Sequence, residues 1–262
     1  MPEHTHRAAT SGAPLLEVEG LTAGYGGVQA VRDLSFTVGP GEVVALLGPN
    51  GAGKTTSLLA TVGLLPLMSG TVRALGQPVD TRKPHLLARR GVMMVPDDRG
   101  IFYGLSVADH FRLARRRADA SRRALVLERF PALERLMSRK VGLLSGGEQQ
   151  MLTIAKALLA EPKVLMIDEM SLGLAPKIVQ EMLPSIRDLA KQEGIGLVLV
   201  EQHIELALSV ADRGLILNHG RVVLDGPASE LLQRRDQVEA AYFGADDLGD
   251  VDEEVLPTAS TS

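Results

Sequence analysis

Apolar and charged residues alternate through Leu16, Glu17, Val18 and Glu19, the two-residue period of a strand with one face buried, and this places a strand over Leu16–Leu21. A second strand is expected to end near Val38, ahead of a turn at Gly39-Pro40-Gly41-Glu42. Val43-Val44-Ala45-Leu46-Leu47 then runs without a polar break, as do Val164-Leu165-Met166-Ile167 and Leu197-Val198-Leu199-Val200. Such runs fit strands covered on both faces, the situation inside a parallel sheet. Segments of helical period separate them, so the expected fold class is α/β with a mostly parallel sheet. Residues 81–144 read differently. They are rich in Arg, mostly helical in pattern and poor in strand signals, with Ser106 and Asp109 spaced as a capping box at a helix start. This stretch is expected to be a helical subdomain inserted between two parts of the core, 15–80 and 145–244. Residues 1–14 and 245–262 are expected to be disordered ends.

Composition narrows the picture. At 262 residues, 45% apolar and 23% charged, the chain is long enough to bury a large core. With no Cys, disulfides and thiolate metal sites are excluded. Apolar runs are strand-length only, and the polar first residues lack the apolar core of a signal peptide, so the chain is expected not to cross a membrane alone. Six carboxylates crowd into Ala245–Ser262; without them the formal charge of −4 becomes +2. Arg112, Arg115, Arg116, Arg117, Arg122 and Arg123 form a basic stretch. It reads as a solvated helix face or as a contact for protein or anionic lipid. Nucleic acid is not expected, because no aromatic residues interleave with these arginines.

Gly48-Pro49-Asn50-Gly51-Ala52-Gly53-Lys54-Thr55 follows the first all-apolar run and precedes a helical segment at Thr56–Val62. This is the strand–loop–helix setting of a phosphate-binding loop. Its glycines let backbone N–H groups approach phosphate oxygens, and the helix start adds partial positive charge. Lys54 is the candidate for the β- and γ-phosphates and Thr55 for a Mg²⁺ ligand, with Thr56 next in line. Asp168 and Glu169 close the Val164–Ile167 run, at the strand end where parallel sheets bind ligands. Asp168 is a candidate metal carboxylate and Glu169 a candidate general base or water-orienting group. Further along, Ser145 and Glu148 are spaced as a capping box around Gly146 and Gly147. The residues alone leave two readings of that string. It is a plain capped helix, or a second anion-ready helix start through which two copies share two nucleotides.

The string Leu144-Ser145-Gly146-Gly147-Glu148-Gln149-Gln150 resembles the signature of ABC ATPases, and the chain from about Leu15 to Gly244 is similar to the ATPase subunits of ABC transporters. That resemblance implies a P-loop NTPase core with an N-terminal antiparallel β part and an inserted helical subdomain. It implies that Tyr25 stacks on adenine, that Asp97 occupies the Q-loop position and approaches Mg²⁺, and that Ser171–Leu174 is the D-loop. It also implies that His203 is the switch histidine at the γ-phosphate, and that Ser145, Gly146, Gly147 and Glu148 meet the nucleotide of a second subunit. The strings 144–152, 168–176, 200–203 and 241–244 resemble the branched-chain amino acid importer group more closely, with urea and short-chain amide importers carrying similar subunits. The implied function is ATP hydrolysis, with ATP and Mg²⁺, on the cytoplasmic face of the cell membrane. The implied partners are permease subunits, a second ATPase subunit and, indirectly, a substrate-binding protein. Three positions depart from the pattern: Asp97, where Gln or Glu is usual; Met170, where Pro is common; and His203, where the closer group often has Asn. The rival readings are a non-transport ABC ATPase acting on nucleic acid or ribosomes, and a regulatory or assembly module with little hydrolysis.

Overall fold

The computed structural model describes residues 12–114, 120–171 and 174–243. Its strands are β1 (Leu16–Tyr25), β2 (Val28–Val38), β3 (Val43–Leu47), β4 (Ser69–Ala74), β5 (Gln77–Pro78), β6 (Val92–Val95), β7 (Val164–Asp168), β8 (Gly196–Glu201), β9 (Arg213–Asn218) and β10 (Arg221–Pro227). Its α-helices are α1 (Lys54–Thr61), α2 (Pro84–Arg89), α3 (Val107–Ala114), α4 (Ala120–Arg129), α5 (Gly146–Leu159), α6 (Pro176–Glu193), α7 (Ile204–Val210), α8 (Ala228–Gln233) and α9 (Arg235–Phe243). The strands make two sheets. One is four-stranded and antiparallel, in the order β2-β1-β4-β5; the other is six-stranded, in the order β10-β9-β3-β8-β7-β6, and parallel except for β10.

The three all-apolar runs become β3, β7 and β8, neighbours at the centre of the six-stranded sheet. Their side chains divide by parity, as the strand period requires. Val43, Ala45, Leu47, Leu165, Ile167, Leu197 and Leu199 pack on one face with α5, α6 and α7. Val44, Leu46, Val164, Met166, Val198 and Val200 pack on the other with β1, β2 and α1. Each buried Val or Leu contributes about 1.5–3 kcal/mol, which is why a polar residue is excluded from either face. The half-buried pattern expected at Leu16–Leu21 holds for the start of β1, which bends at Gly20 (φ 59°) and runs on to Tyr25.

The stretch 81–144 is not wholly helical. β6 lies inside it, pairs parallel with β7 from Val92↔Val164 to Val95↔Ile167, and belongs to the core sheet. The strand signal is weak because the run is four residues long, sits at the sheet edge and has two half-buried methionines at its centre. The helices α3 and α4 follow, with Ser106 and Asp109 bonded reciprocally at the start of α3. Arg122 does not lie on a solvated face. It is buried, donates to the Leu158 carbonyl at the end of α5 and pairs with Glu193 at the end of α6. Arg112 pairs with Asp109, and Arg123 lies over the Phe111 ring. Arg115, Arg116 and Arg117 lie outside the described residues, as do Leu172 and Gly173 of the expected D-loop. Among the described residues no helix is long and apolar enough to cross a membrane.

Candidate active site

The loop from Gly48 to Gly53 leaves the end of β3 and turns into α1, which starts at Lys54 rather than Thr56. Two of its glycines have no substitute. Gly53 has φ 100°, and a Cβ there would stand 2.5 Å from the Ala30 carbonyl; a Cβ at Gly48 would stand 2.3 Å from the Leu217 carbonyl. A cleft of about 400 Å³ opens over the loop, lined by Ala30, Asn50, Gly51, Gly53, Lys54, Thr55, Thr56 and Glu169.

Lys54 is buried and turns back into the loop, donating to the carbonyls of Gly48 (2.8 Å) and Pro49 (3.0 Å), with Glu169 Oε1 3.3 Å from its ammonium. Parallel pairing of β7 with β8 sets Asp168 beside Val200 and carries Glu169 to the mouth of the cleft. Glu169 holds a left-handed backbone, φ 44°, a conformation that costs free energy and gathers at functional sites. Its Oε2 accepts from the Gln202 amide at 2.8 Å. Gln202, not the exposed His203, is therefore the neighbour that holds Glu169, and it escaped the sequence reading. The only signal for it was its place beside His203 after an apolar strand.

Asp168 is fully buried, and neither of its carboxylate oxygens has a hydrogen-bond partner. Burial pushes its pKa up to about 6. The Thr55 hydroxyl beside it opposes the shift, the charges of Glu169 and Asp97 add to it, and Lys54 pulls it down. A buried orphan carboxylate beside a hydroxyl suits a hard divalent cation with oxygen ligands. Among the described residues no three His, Cys, Asp or Glu side chains cluster closely enough to hold a metal by themselves. That donor set fits Mg²⁺, which takes one or two protein oxygens and completes its shell with phosphate and water. The neighbouring Glu201, at the end of β8, is also raised by burial and accepts from the Ser171 amide and hydroxyl.

The other expected site residues are not among those that line this cleft. Tyr25 is exposed at the end of β1. Asp97 is exposed in the loop after β6. Ser145 caps α5, with Glu148 closing a full capping box, and it is exposed. Gly146 is half-buried, whereas Gly147 is buried, and a Cβ on it would stand 2.8 Å from Ile178 Cδ1 of α6. A side chain there would have to displace the end of Ile178, a flexible group. Met170 lies in the turn after Glu169 with its side chain buried in the main core. The C-terminal string is used as well: Tyr242 donates to the Gln202 carbonyl, and Asn218 donates to the carbonyls of Ala241 and Tyr242.

The phosphate loop, the carboxylates at the ends of β7 and β8, and the capped α5 occur together in known proteins. Residues 31–171 match the ABC transporter family. The chain belongs to this family. The ABC ATPase is 37% identical over 234 residues to the "High-affinity branched-chain amino acid transport ATP-binding protein BraG" of Pseudomonas aeruginosa, covering 88% of this chain and 100% of that protein. It is 33% identical over 240 residues to the "Lipopolysaccharide export system ATP-binding protein LptB" of Escherichia coli K12, covering 88% and 98%. Its fold matches a solved "Structure of ATP binding subunit of ABC transporter" with TM-score 0.77 and 28% identity, over 88% of this chain and 100% of that one. The P-loop NTPase fold class follows, and so does the activity: this ABC ATPase binds and hydrolyses ATP.

Proposed function

We infer that this ABC ATPase energises an importer for branched-chain amino acids. In this reading it sits against permease subunits on the cytoplasmic face of the cell membrane and pairs with a second ATPase subunit, while a substrate-binding protein delivers the cargo. The observation that carries the hydrolytic part is the buried, unpartnered Asp168 carboxylate beside Thr55 and Lys54. The likeness to BraG supports the cargo.

In this reading Lys54 exchanges the loop carbonyls and Glu169 for the β- and γ-phosphates of ATP. Thr55, Asp168 and, from the neighbouring loop, Asp97 hold Mg²⁺. When bound, that ion neutralises charge developing on the phosphate oxygens. Glu169, held by Gln202, orients a water and takes its proton as the oxygen bonds the γ-phosphorus and the bond to the β-phosphate oxygen breaks. His203 contacts the γ-phosphate, Tyr25 stacks on adenine, and Ser145–Glu148 of the second subunit close over the phosphates. The exposed apolar residues Phe102, Tyr103 and Leu105, before α3, and Leu143, before the cap of α5, suit the permease contact.

The likeness to LptB favours a second reading, lipopolysaccharide export. The Glu169→Gln protein, purified from membranes with Mg-ATP, is expected to bring permease subunits with it. Hydrolysis by the reassembled wild-type complex with its substrate-binding protein is expected to rise with leucine, isoleucine or valine. Stimulation by urea, short-chain amides or lipopolysaccharide instead moves the cargo to that class. Recovery of RNA or ribosomes without membrane protein refutes the transport reading.

A further inference from the structure

The loop after β6 is bound to α5 at four points. Arg99 Nη1 donates to Gln149 Oε1 (2.7 Å) and Arg99 Nε to Gln150 Oε1 (3.2 Å). The Lys156 ammonium donates to the Gly100 carbonyl (2.5 Å), and the Thr153 hydroxyl shares its one proton between the Gln149 carbonyl (3.0 Å) and the Arg99 carbonyl (3.3 Å). Residues 149, 153 and 156 recur at the spacing of one helix face, so that face of α5 is committed to the loop. Arg99 holds a left-handed backbone, φ 66°, which an arginine adopts only where its surroundings impose it.

Gln149 continues the connection. Its oxygen accepts from Arg99, while its amide nitrogen donates to the carbonyls of Val141 (3.2 Å) and Leu144 (3.3 Å). Leu144 directly precedes Ser145, the cap of α5. At the other end of the connection, Asp97 stands two residues before Arg99 and adds its charge to the field on Asp168. Gln149 and Gln150 are both more than nine-tenths buried, where a hydrogen bond is stronger and an unpaired amide costs most. A planar, forked guanidinium suits a double contact that a lysine cannot reproduce.

We propose that Arg99 is a positioning residue that carries a shift of Asp97, produced by nucleotide in this subunit's own phosphate loop, through Gln149 to Ser145–Gly147. One nucleotide thereby prepares the surface offered to the nucleotide of the second subunit. The inference rests on the two-subunit site proposed above. Loop and helix move as one body, because three bonds and the shared Thr153 hydroxyl, all on one helix face, tie them together. Nucleotide shifts the position of α5 only as far as its contacts at Asp97 differ between the two positions.

The test uses the full chain carrying Glu169→Gln, which prevents turnover. Affinity is read with a fluorescent ATP analogue, ATP-driven dimerisation by sedimentation, and the mobility of residues 146–153 by hydrogen exchange with and without Mg-ATP. Adding Arg99→Ala is expected to leave nucleotide affinity within roughly twofold and to weaken ATP-driven dimerisation by about tenfold or more, within the usual range of coupling between sites. It is also expected to abolish the ATP-dependent change in exchange at 146–153. Arg99→Lys falls between the two, and Gln149→Ala repeats the alanine result. Arg99→Ala with Gln149→Ala is expected to be no worse than either alone, since both cut one connection. Dimerisation equal to that of the parent, additive losses, or an equal fall in nucleotide affinity overturns the proposal. Should Arg99→Ala be unfolded at the assay temperature, Arg99→Lys and Gln149→Ala decide. Should the parent fail to dimerise with Mg-ATP, the two-subunit reading falls. The connection is then judged from exchange alone: protection at 146–153 that Arg99→Lys and Gln149→Ala both diminish supports it, and protection they leave intact overturns it.

Discussion

Asp168 is a residue whose placement costs stability. Its folded pKa, about 6, lies above the ordinary 3.8 because burial disfavours the carboxylate and the Thr55 hydroxyl and Lys54 charge offset only part of that cost. A raised acid pKa contributes stability that is fully present below pH ~4 and is lost as pH rises through about 6. At neutral pH the metal-free protein therefore carries an ionised, unpartnered group worth up to about 3 kcal/mol of destabilisation. Asp168→Asn removes the charge and is expected to raise Tm in EDTA at pH 7.5 while leaving it unchanged near pH 4. Mg²⁺ is expected to stabilise the wild type at pH 7.5 and not the variant. Equal melting of the two proteins in EDTA at pH 7.5 would show that Asp168 is not held ionised and alone. Lys54 behaves in the opposite way, because it is satisfied by two carbonyls and Glu169 before any phosphate arrives. Nucleotide must replace those contacts, and Lys54→Ala is expected to weaken ATP binding by about 10- to 150-fold, the equivalent of one charge-assisted contact.

At the scale of elements, Arg122 joins three helices: it rises from α4, donates twice to the Leu158 carbonyl near the end of α5 and reaches Glu193 at the end of α6. Arg122→Ala removes two guanidinium bonds from the Leu158 carbonyl, which keeps only the Glu161 amide, and takes the charged partner from Glu193; it is expected to cost about 1–3 kcal/mol. The loss should appear as a fall in Tm at every salt concentration, because a buried contact is poorly screened. A loss that salt erases would return Arg122 to the surface. Within the basic stretch only Arg122 departs from the solvated-face reading among the described residues, and for a physical reason. Charge counts do not tell which arginine of a run turns inward, and that depends on where the ends of α5 and α6 come to lie. The central strands were legible because a strand buried on both faces admits no polar residue, and the capping boxes at Ser106 and Ser145 because their bonds span three residues. Gln202 was not legible. Its amide meets Glu169 only through the register of β7 against β8, between segments more than thirty residues apart, and no local pattern encodes that register. The neighbour of Gly147, Ile178 on α6, was equally hidden, because that contact too joins segments about thirty residues apart.

For the whole molecule, the cleft over the phosphate loop is lined by residues of the loop, the start of α1, β2 and Glu169, and Ser145 is not among them. Ser145 is nonetheless exposed, with its hydroxyl engaged only in the cap of α5. A helix start that is complete in itself and turned outward is available to another subunit's phosphates, whereas one facing its own cleft would act in cis. The two cases separate under Ser145→Arg. Losing the cap costs about 1 kcal/mol of stability in either case. If the motif acts in trans, the monomer keeps its ATP affinity, because no lining residue has changed, while the bulky cation blocks closure of the pair and hydrolysis falls steeply. Titration with ATP at low protein concentration, beside turnover at high concentration, reads both quantities. Affinity and turnover falling together would put Ser145 at its own subunit's nucleotide and remove the ground for a shared site.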